Sequence, residues 1–145
     1  TNLSGRKIEG MFGKILLDAP CSGEGMVNKK EKLFRHWSER HVRLLSKTQK
    51  KLIQHAFSIL VAGGTLVYST CTFEPEENEA VVDFLLGKSD NAMLDEIKIN
   101  GLNYSGGLTE WNGLKFSDEV KKCIRIYPQQ NNTGGFFVAK IRKKA

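Results

Sequence analysis

Apolar residues recur along the chain with two periods, which predict alternating strands and helices. Short apolar runs at residues 15–17 and 65–69 are typical of buried strands. Apolar positions at helical spacing predict a helix with Ser46 as N-cap that ends at the glycine pair 63–64. A second helix is predicted over residues 75–86, where a proline and two glutamates mark its first turn.

Further elements are predicted on both sides of this central region. Ser38 is expected to cap a short helix through Leu45. The C-terminal third is predicted to hold a strand, a glycine-rich loop, a short helix and two last strands, at residues 94–99, 101–113, 116–122, 123–127 and 136–141. Turn residues separate the last two strands, which predicts an antiparallel hairpin. Two successive strand-to-helix units indicate an α/β fold with a parallel, doubly wound sheet.

Length and composition set broad limits on this reading. The chain has 145 residues, enough for one domain with a core, and no apolar run approaches the roughly 18 residues of a membrane span. No secretory signal is visible at Thr1, so a cytoplasmic protein without a membrane partner is expected. The three cysteines and three histidines lack the spacing of disulfide or metal sites, so no metal is predicted. The net charge of +6 suits a polyanionic partner.

Two cysteines follow the predicted strands, and this placement indicates that they take part in ligand binding or catalysis. Cys71 comes after the strand at residues 65–69 and just before a predicted helix, and Cys21 follows the strand at residues 15–17. Ligands of open α/β sheets bind at the carboxyl ends of strands. A thiol near a helix N-terminus can have a lowered pKa and act as a nucleophile. Cys123, in contrast, falls inside a predicted strand and is expected in the core.

Three segments of the chain form long motifs. Residues 18–26 read DAPCSGEGM, residues 68–79 read YSTCTFEPEENE, and RIYP at residues 125–128 is followed by GGFFVAK at residues 134–140. All three closely resemble motifs of the Nol/Nop/Sun family of RNA (cytosine-5) methyltransferases. The resemblance implies a Rossmann-like methyltransferase fold and transfer of a methyl group from S-adenosylmethionine to carbon 5 of cytosine in tRNA or rRNA.

The resemblance also implies roles for individual residues. Cys71 would be the nucleophile that adds to the base, and Cys21 would assist release of the methylated product. Asp18 would contact the target base and, together with Pro20, the methyl donor, and Pro20 would also shape the loop under the base. The residues by themselves do not rank the two thiols. Cys21 follows a proline, as the nucleophile of DNA cytosine-5 methyltransferases does, and stays an alternative nucleophile.

The resemblance implies that the chain carries only part of a catalytic domain. Nothing before Ile15 matches the glycine-rich loop that holds the donor in this family. Residues 1–145 are therefore expected to be the C-terminal half of one methyltransferase domain, inactive alone and weak in donor binding. The alternative is a non-catalytic RNA-binding fragment of the same fold. A binding fragment has no need of two such cysteines, whereas the lack of a donor loop favours it.

Two surfaces are expected to meet partners. Lys29, Lys30 and Arg35 lie in a basic stretch after the first cysteine motif, where they could contact RNA phosphates or form a solvated surface. The run at residues 15–17 is apolar without alternation, as in a strand covered on both faces. Its neighbouring strand in the family would lie upstream of Thr1, so a free edge that pairs with another chain is expected.

Overall fold

The computed structural model describes residues 10–29 and 37–145, with the backbone alone for residues 27–29. Within these ranges the helices are α1 (Glu39–Ser58), α2 (Glu79–Lys88), α3 (Pro128–Asn131) and the 3₁₀ helices Glu24–Lys29 and Asp118–Lys122. The strands are β1 (Phe12–Asp18), β2 (Leu60–Thr70), β3 (Ala92–Asp95), β4 (Ser105–Gly106), β5 (Glu110–Trp111), β6 (Leu114–Lys115), β7 (Ile124–Ile126) and β8 (Phe136–Lys143).

Six of these strands form one mixed sheet, which confirms the predicted α/β class. Its order is β1-β2-β8-β7-β4, and β3 also pairs with β8. β1 and β2 run parallel, whereas β8 is antiparallel to each of its neighbours, as predicted for the terminal hairpin. The parallel pair places the carboxyl ends of β1 and β2 side by side, at Asp18 and Ser69.

The core lies on one face of this sheet. Leu66 and Tyr68 of β2 and Phe137 of β8 are fully buried in one cluster with residues of α1 and α2. Residues on the opposite face are more exposed, and Leu16 in β1 keeps 72% of its surface accessible. Within the described residues this face of β1 is uncovered, so the expectation that β1 is covered on both faces stays a prediction for the complete domain. No described helix packs over Leu16.

Helix α1 departs from its prediction at two points. Its N-cap is Ser38, whose hydroxyl accepts the His41 N–H at 3.1 Å as predicted, but the helix then continues without a break through Ser46. Ser46 is not an N-cap, because its hydroxyl instead donates to the Glu76 carbonyl at 2.6 Å. The glycine pair does not end the helix either. α1 stops at Ser58, and the glycines lie inside β2, where Gly63 takes a φ of +78° at an irregularity in the pairing with β1.

Helix α2 begins later than Pro75. The segment at residues 75–78 forms tight turns, in which the Asn78 N–H donates to the Pro75 carbonyl at 3.2 Å, and regular helix starts at Glu79. These turns bring the side chains of Glu77 and Asn78 into the protein interior, where both are fully buried. The predicted helix boundary was wrong by four residues, and the difference positions Glu77 beside the cysteine loops.

The C-terminal third contains more structure than the sequence predicted. Residues 101–113 include β4 and β5 rather than only a loop, and Asn112 and Gly113 turn the β5–β6 hairpin with φ values of +48° and +78°. Asn-Gly is the strongest short hairpin signal, so the sequence did carry this information. The strand predicted at residues 94–99 lies earlier, as β3, and Cys123 is buried in the core as predicted. Within the described ranges, no helix combines the length and apolarity needed to cross a bilayer.

Candidate active site

The thiols of Cys21 and Cys71 meet at the carboxyl ends of β1 and β2. Each cysteine lies in the loop that follows its strand, and the two strands are parallel neighbours. The two Sγ atoms are 3.1 Å apart, and the Cys71 N–H donates to Cys21 Sγ at 3.2 Å. Both residues are half-buried, so the pair is held in place and still open to a ligand. The sequence placed both cysteines at this edge but gave no distance between them.

The contact lowers the pKa of Cys71. A hydrogen bond from the Cys21 thiol stabilises the Cys71 thiolate and brings the pKa of Cys71 to about 7, although burial and the charges of Asp18 and Glu24 oppose it. The same hydrogen bond raises the pKa of Cys21 well above its ordinary value, and burial adds to this effect. The pair therefore loses its first proton near neutral pH, with the charge on Cys71. Such a thiolate is the nucleophilic form of cysteine.

Asp18 and Pro20 lie beside the thiols and are exposed. The Ser69 hydroxyl donates to Asp18 Oδ1 at 3.0 Å across the ends of β1 and β2, which fixes the carboxylate at this edge. The Pro20 carbonyl accepts the Gln49 side-chain N–H at 2.8 Å, which ties the loop to helix α1. The structure thus brings together all three residues predicted to be catalytic, with Pro20 next to them.

A buried polar cluster joins the two cysteine loops and was missed by the sequence reasoning. Glu77 accepts the Ser22 N–H at 3.1 Å, the Ser22 hydroxyl and the Gln49 side-chain N–H at 2.7 Å. The Ser22 hydroxyl also lies 2.9 Å from that of Thr72, which in turn donates to Glu24. Ser22 follows Cys21 and Thr72 follows Cys71, so the cluster spans both loops next to the thiols. Its only sequence signal is the dense run of glutamates, which by itself predicts a helix start.

An ion pair supports the Cys71 loop from the other side. Arg125 of β7 and Glu79 of α2 form two hydrogen bonds of 2.6 Å each, and their side chains are 3% and 0% exposed. Arg125 also donates to the Phe73 carbonyl at 3.0 Å, two residues beyond Cys71. The predicted motif at residues 125–128 therefore contributes an anchor for the Cys71 loop. Sequence alone could not pair these residues, which lie 46 positions apart.

Glycines join the two cysteine loops to the segment that precedes β8. Gly25 N–H donates to the Cys71 carbonyl at 2.9 Å, and Gly135 N–H donates to the Gly25 carbonyl at 2.8 Å. A Cβ atom at Gly25 would lie 2.8 Å from the Cys71 carbonyl oxygen, closer than such atoms can approach. Glycine is required here because three backbones converge, which explains a glycine in the first cysteine motif.

Part of the predicted RNA-binding set cannot be located. Lys30 and Arg35 lie outside the described residues, and for Lys29 only the backbone, in the first 3₁₀ helix, is described.

Over residues 10–29 and 37–145, no three His, Cys, Asp or Glu side chains are grouped so that they could hold a metal ion.

Comparisons with known proteins identify the family of the chain. The family model for 16S rRNA methyltransferase RsmB/F matches residues 2–142. A tRNA (cytosine(49)-C(5))-methyltransferase of Pyrococcus abyssi is 53% identical over 94% of this chain and 43% of its own length. Ribosomal RNA small subunit methyltransferase F of Vibrio cholerae is 42% identical over 92% of this chain and 26% of its own length. The chain thus spans less than half the length of these curated relatives.

Comparison with solved structures also points to a methyltransferase. A methyltransferase homologue from Pyrococcus horikoshii superposes with a TM-score of 0.78 at 38% identity, over 92% of this chain and 40% of that one. NSun6 from Pyrococcus horikoshii, solved with SFG, gives a TM-score of 0.70 at 37% identity, over 90% of this chain and 29% of that one. These matches confirm the methyltransferase fold. The chain belongs to the RsmB/F family of RNA methyltransferases, the Nol/Nop/Sun family that its two cysteine motifs resemble.

Proposed function

We propose that the complete protein methylates carbon 5 of cytosine in tRNA or rRNA, with S-adenosylmethionine as donor and a covalent adduct to Cys71. One observation carries the proposal, the contact of 3.1 Å between two thiols of which Cys71 has the lowered pKa. The names of the relatives supply the substrate class, tRNA for one and ribosomal RNA for the other.

The reaction needs a thiolate because carbon 5 of cytosine is a poor nucleophile. Addition of the Cys71 thiolate at carbon 6 breaks the aromaticity of the ring and leaves carbon 5 electron-rich. When bound, S-adenosylmethionine supplies an electrophilic methyl group on a sulfonium. Because the pKa of Cys71 is about 7, a large fraction of the thiol is already ionised at neutral pH, and no separate base has to activate it.

Release of the product reverses the addition, and Cys21 is positioned to assist it. Water accepts the carbon 5 proton, the electron pair of the carbon–hydrogen bond forms the double bond between carbons 5 and 6, and the electron pair of the carbon 6–sulfur bond returns to Cys71, which restores the aromatic ring. The Cys21 thiol, with its Sγ 3.1 Å from that of Cys71, can donate a hydrogen bond to the departing thiolate. This stabilises Cys71 as a leaving group, so loss of the Cys21 thiol should slow release more than addition.

Asp18 and Pro20 fit the two ligands at this edge. Asp18 is exposed, and Ser69 occupies only its Oδ1 among the described residues, so Oδ2 can accept from the cytosine amino group or attract the cationic donor. Pro20 is also exposed and offers an apolar surface beside the base. Weaker donor binding by this chain than by the complete domain stays a prediction, as do phosphate contacts by Lys29, Lys30 and Arg35.

The methylated nucleoside that the complete protein forms in RNA tests the proposed reaction. When the complete protein is incubated with tRNA or rRNA and methyl-labelled donor, digestion of the RNA to nucleosides should yield 5-methylcytidine. This product has the same mass as N4-methylcytidine, and chromatographic retention against the two nucleoside standards distinguishes them. Label on the exocyclic amine would contradict the proposal, because that transfer needs no covalent thiol adduct.

We further propose that the chain alone associates through the free edge of β1. Within the described residues, β1 pairs only with β2, and Leu16 is 72% exposed beside that edge. Unpaired backbone groups and apolar side chains on an edge strand favour pairing with a second chain. Light scattering should therefore show a mass above that of a monomer, and Leu16→Lys should shift the chain towards the monomer because an edge lysine opposes pairing.

Leu44→Lys is the matched control for this edge. Leu44 lies in helix α1, is 54% exposed and is likewise a leucine on the surface. Its replacement adds the same charge away from β1 and should leave the association unchanged. A monomeric wild-type chain, or equal dissociation by both lysine variants, would contradict pairing through β1.

A further inference from the structure

Glu77 is a fully buried carboxylate whose side-chain hydrogen bonds hold the residues on both sides of Cys21. It accepts the N–H and the hydroxyl of Ser22, which follows Cys21 in the chain. Gln49 donates to Glu77 at 2.7 Å and to the Pro20 carbonyl at 2.8 Å, so the residue before Cys21 is held from the same point. Both chain neighbours of Cys21 are thus fixed by one carboxylate and the amide bound to it.

Burial of a carboxylate costs free energy, which other interactions must offset. Burial raises the pKa of Glu77, which means that the interior disfavours its charge. Three donated hydrogen bonds offset this cost, since an ionised carboxylate only accepts. The same cluster extends through the Ser22 hydroxyl to Thr72, the residue after Cys71, at 2.9 Å. The carboxylate is therefore bonded where it can set the relative position of the two cysteine loops.

We infer that Glu77 is a positioning residue that holds the Cys21 thiol against Cys71. It touches neither sulfur in the hydrogen-bond network and acts through Ser22, Gln49 and the loop backbone. The effect of this positioning on product release rests on the proposed function. The contact between the two thiols is independent of that function. Three carboxylates also act on the thiols by charge: Asp18 and Glu24 oppose ionisation of Cys71, and Glu77 adds to the raised pKa of Cys21. The contact with Cys21 is the main stabilisation of the Cys71 thiolate.

The ionisation of Cys71 reports on this contact directly. Alkylation of the chain by iodoacetamide is followed from pH 5 to 10, and the peptide that contains Cys71 is quantified by mass spectrometry. Only the thiolate reacts, so the rate rises with pH through the pKa of Cys71, with a midpoint of about 7 in the wild type. In Glu77→Ala the Cys21 thiol should move away, and the midpoint should rise by more than one unit towards the ordinary value of about 8.5.

Two further variants separate positioning from charge and from general loosening. Glu77→Gln should restore a midpoint near 7, because an amide can accept through its oxygen and donate through its nitrogen to the Ser22 hydroxyl. Tyr68→Phe removes a buried hydrogen bond of 2.6 Å to the Glu77 carbonyl and leaves the carboxylate contacts intact, so its midpoint should stay near 7. A midpoint unchanged in Glu77→Ala, a failure of Glu77→Gln to rescue, or an equal shift in Tyr68→Phe would overturn the inference.

If Glu77→Ala does not unfold cooperatively, Ser22→Ala is used instead to test the inference. It removes the hydroxyl contacts to Glu77 and Thr72 but keeps the backbone N–H bond, so an intermediate midpoint supports the inference and an unchanged one overturns it. Alkylation requires neither RNA nor donor. A shifted midpoint in a protein that forms no 5-methylcytidine would therefore remove the proposed function and leave the role of Glu77 standing.

Discussion

In the complete protein, Cys21→Ala should accumulate a protein–RNA complex that survives denaturation, whereas Cys71→Ala should form none. Cys71 supplies the sulfur that adds to carbon 6, so its loss removes the adduct and the methylated product together. The Cys21 thiol stabilises the departing thiolate from 3.1 Å, and its loss should slow turnover by about 10²–10³-fold, the usual cost of removing one hydrogen-bond donor to a developing negative charge. Denaturing gel electrophoresis with labelled RNA measures the trapped fraction.

Cys123→Ala is the control for these two variants. Cys123 is buried in the core, and burial raises its pKa far above the range in which it would react. Its replacement by alanine should therefore neither trap RNA nor abolish methylation. A complex that accumulates in Cys71→Ala and not in Cys21→Ala would reverse the two roles and make Cys21 the nucleophile, the alternative left open by its position after Pro20.

Arg125→Met should strongly destabilise the fold. The Arg125 and Glu79 side chains are 3% and 0% exposed and share two hydrogen bonds, so removal of the arginine leaves a buried carboxylate without its counter-charge. Breaking a buried pair in this way costs about 3–5 kcal/mol. This is a large part of the roughly 5–15 kcal/mol by which domains are stable. Denaturant unfolding followed by circular dichroism measures the change in the free energy of unfolding.

Arg43→Met is the matched control, because Arg43 forms an ion pair with Glu39 on the surface of α1. These side chains are 73% and 77% exposed, and the loss should be at most about 1 kcal/mol. The double variant Arg125→Met/Glu79→Leu removes both buried charges and should recover part of the stability lost in Arg125→Met. Equal unfolding free energies for Arg125→Met and Arg43→Met would show that the buried pair contributes nothing to stability.

The sequence predicted those parts of the fold that depend on local pattern. The strand after Gly64, the terminal hairpin and the Ser38 cap follow from short-range periodicity and turn chemistry, and each is present in the structure. The two strand ends with Cys21 and Cys71 could be assigned for the same reason. The sheet edge at which they meet follows from one parallel pairing, β1 with β2.

The errors arise where a distant contact decides the local structure. Ser46 has the pattern of an N-cap but donates to Glu76, which lies 30 positions away, so the helix continues through it. The run of glutamates after Cys71 resembles a helix start, yet Glu77 and Glu79 turn inward to Ser22 and Arg125. Such pairings are set by packing between elements, and no periodicity within the segment reports on them.

RNA with 5-fluorocytidine at the target position tests the central claim most directly. Fluorine cannot leave carbon 5 as the proton does, so the adduct formed after methyl transfer cannot be resolved. The complex is digested with protease and nuclease, and tandem mass spectrometry locates the cysteine that carries the methylated base. The account predicts the modification at Cys71, within residues 68–79, and a modification at Cys21 would contradict it.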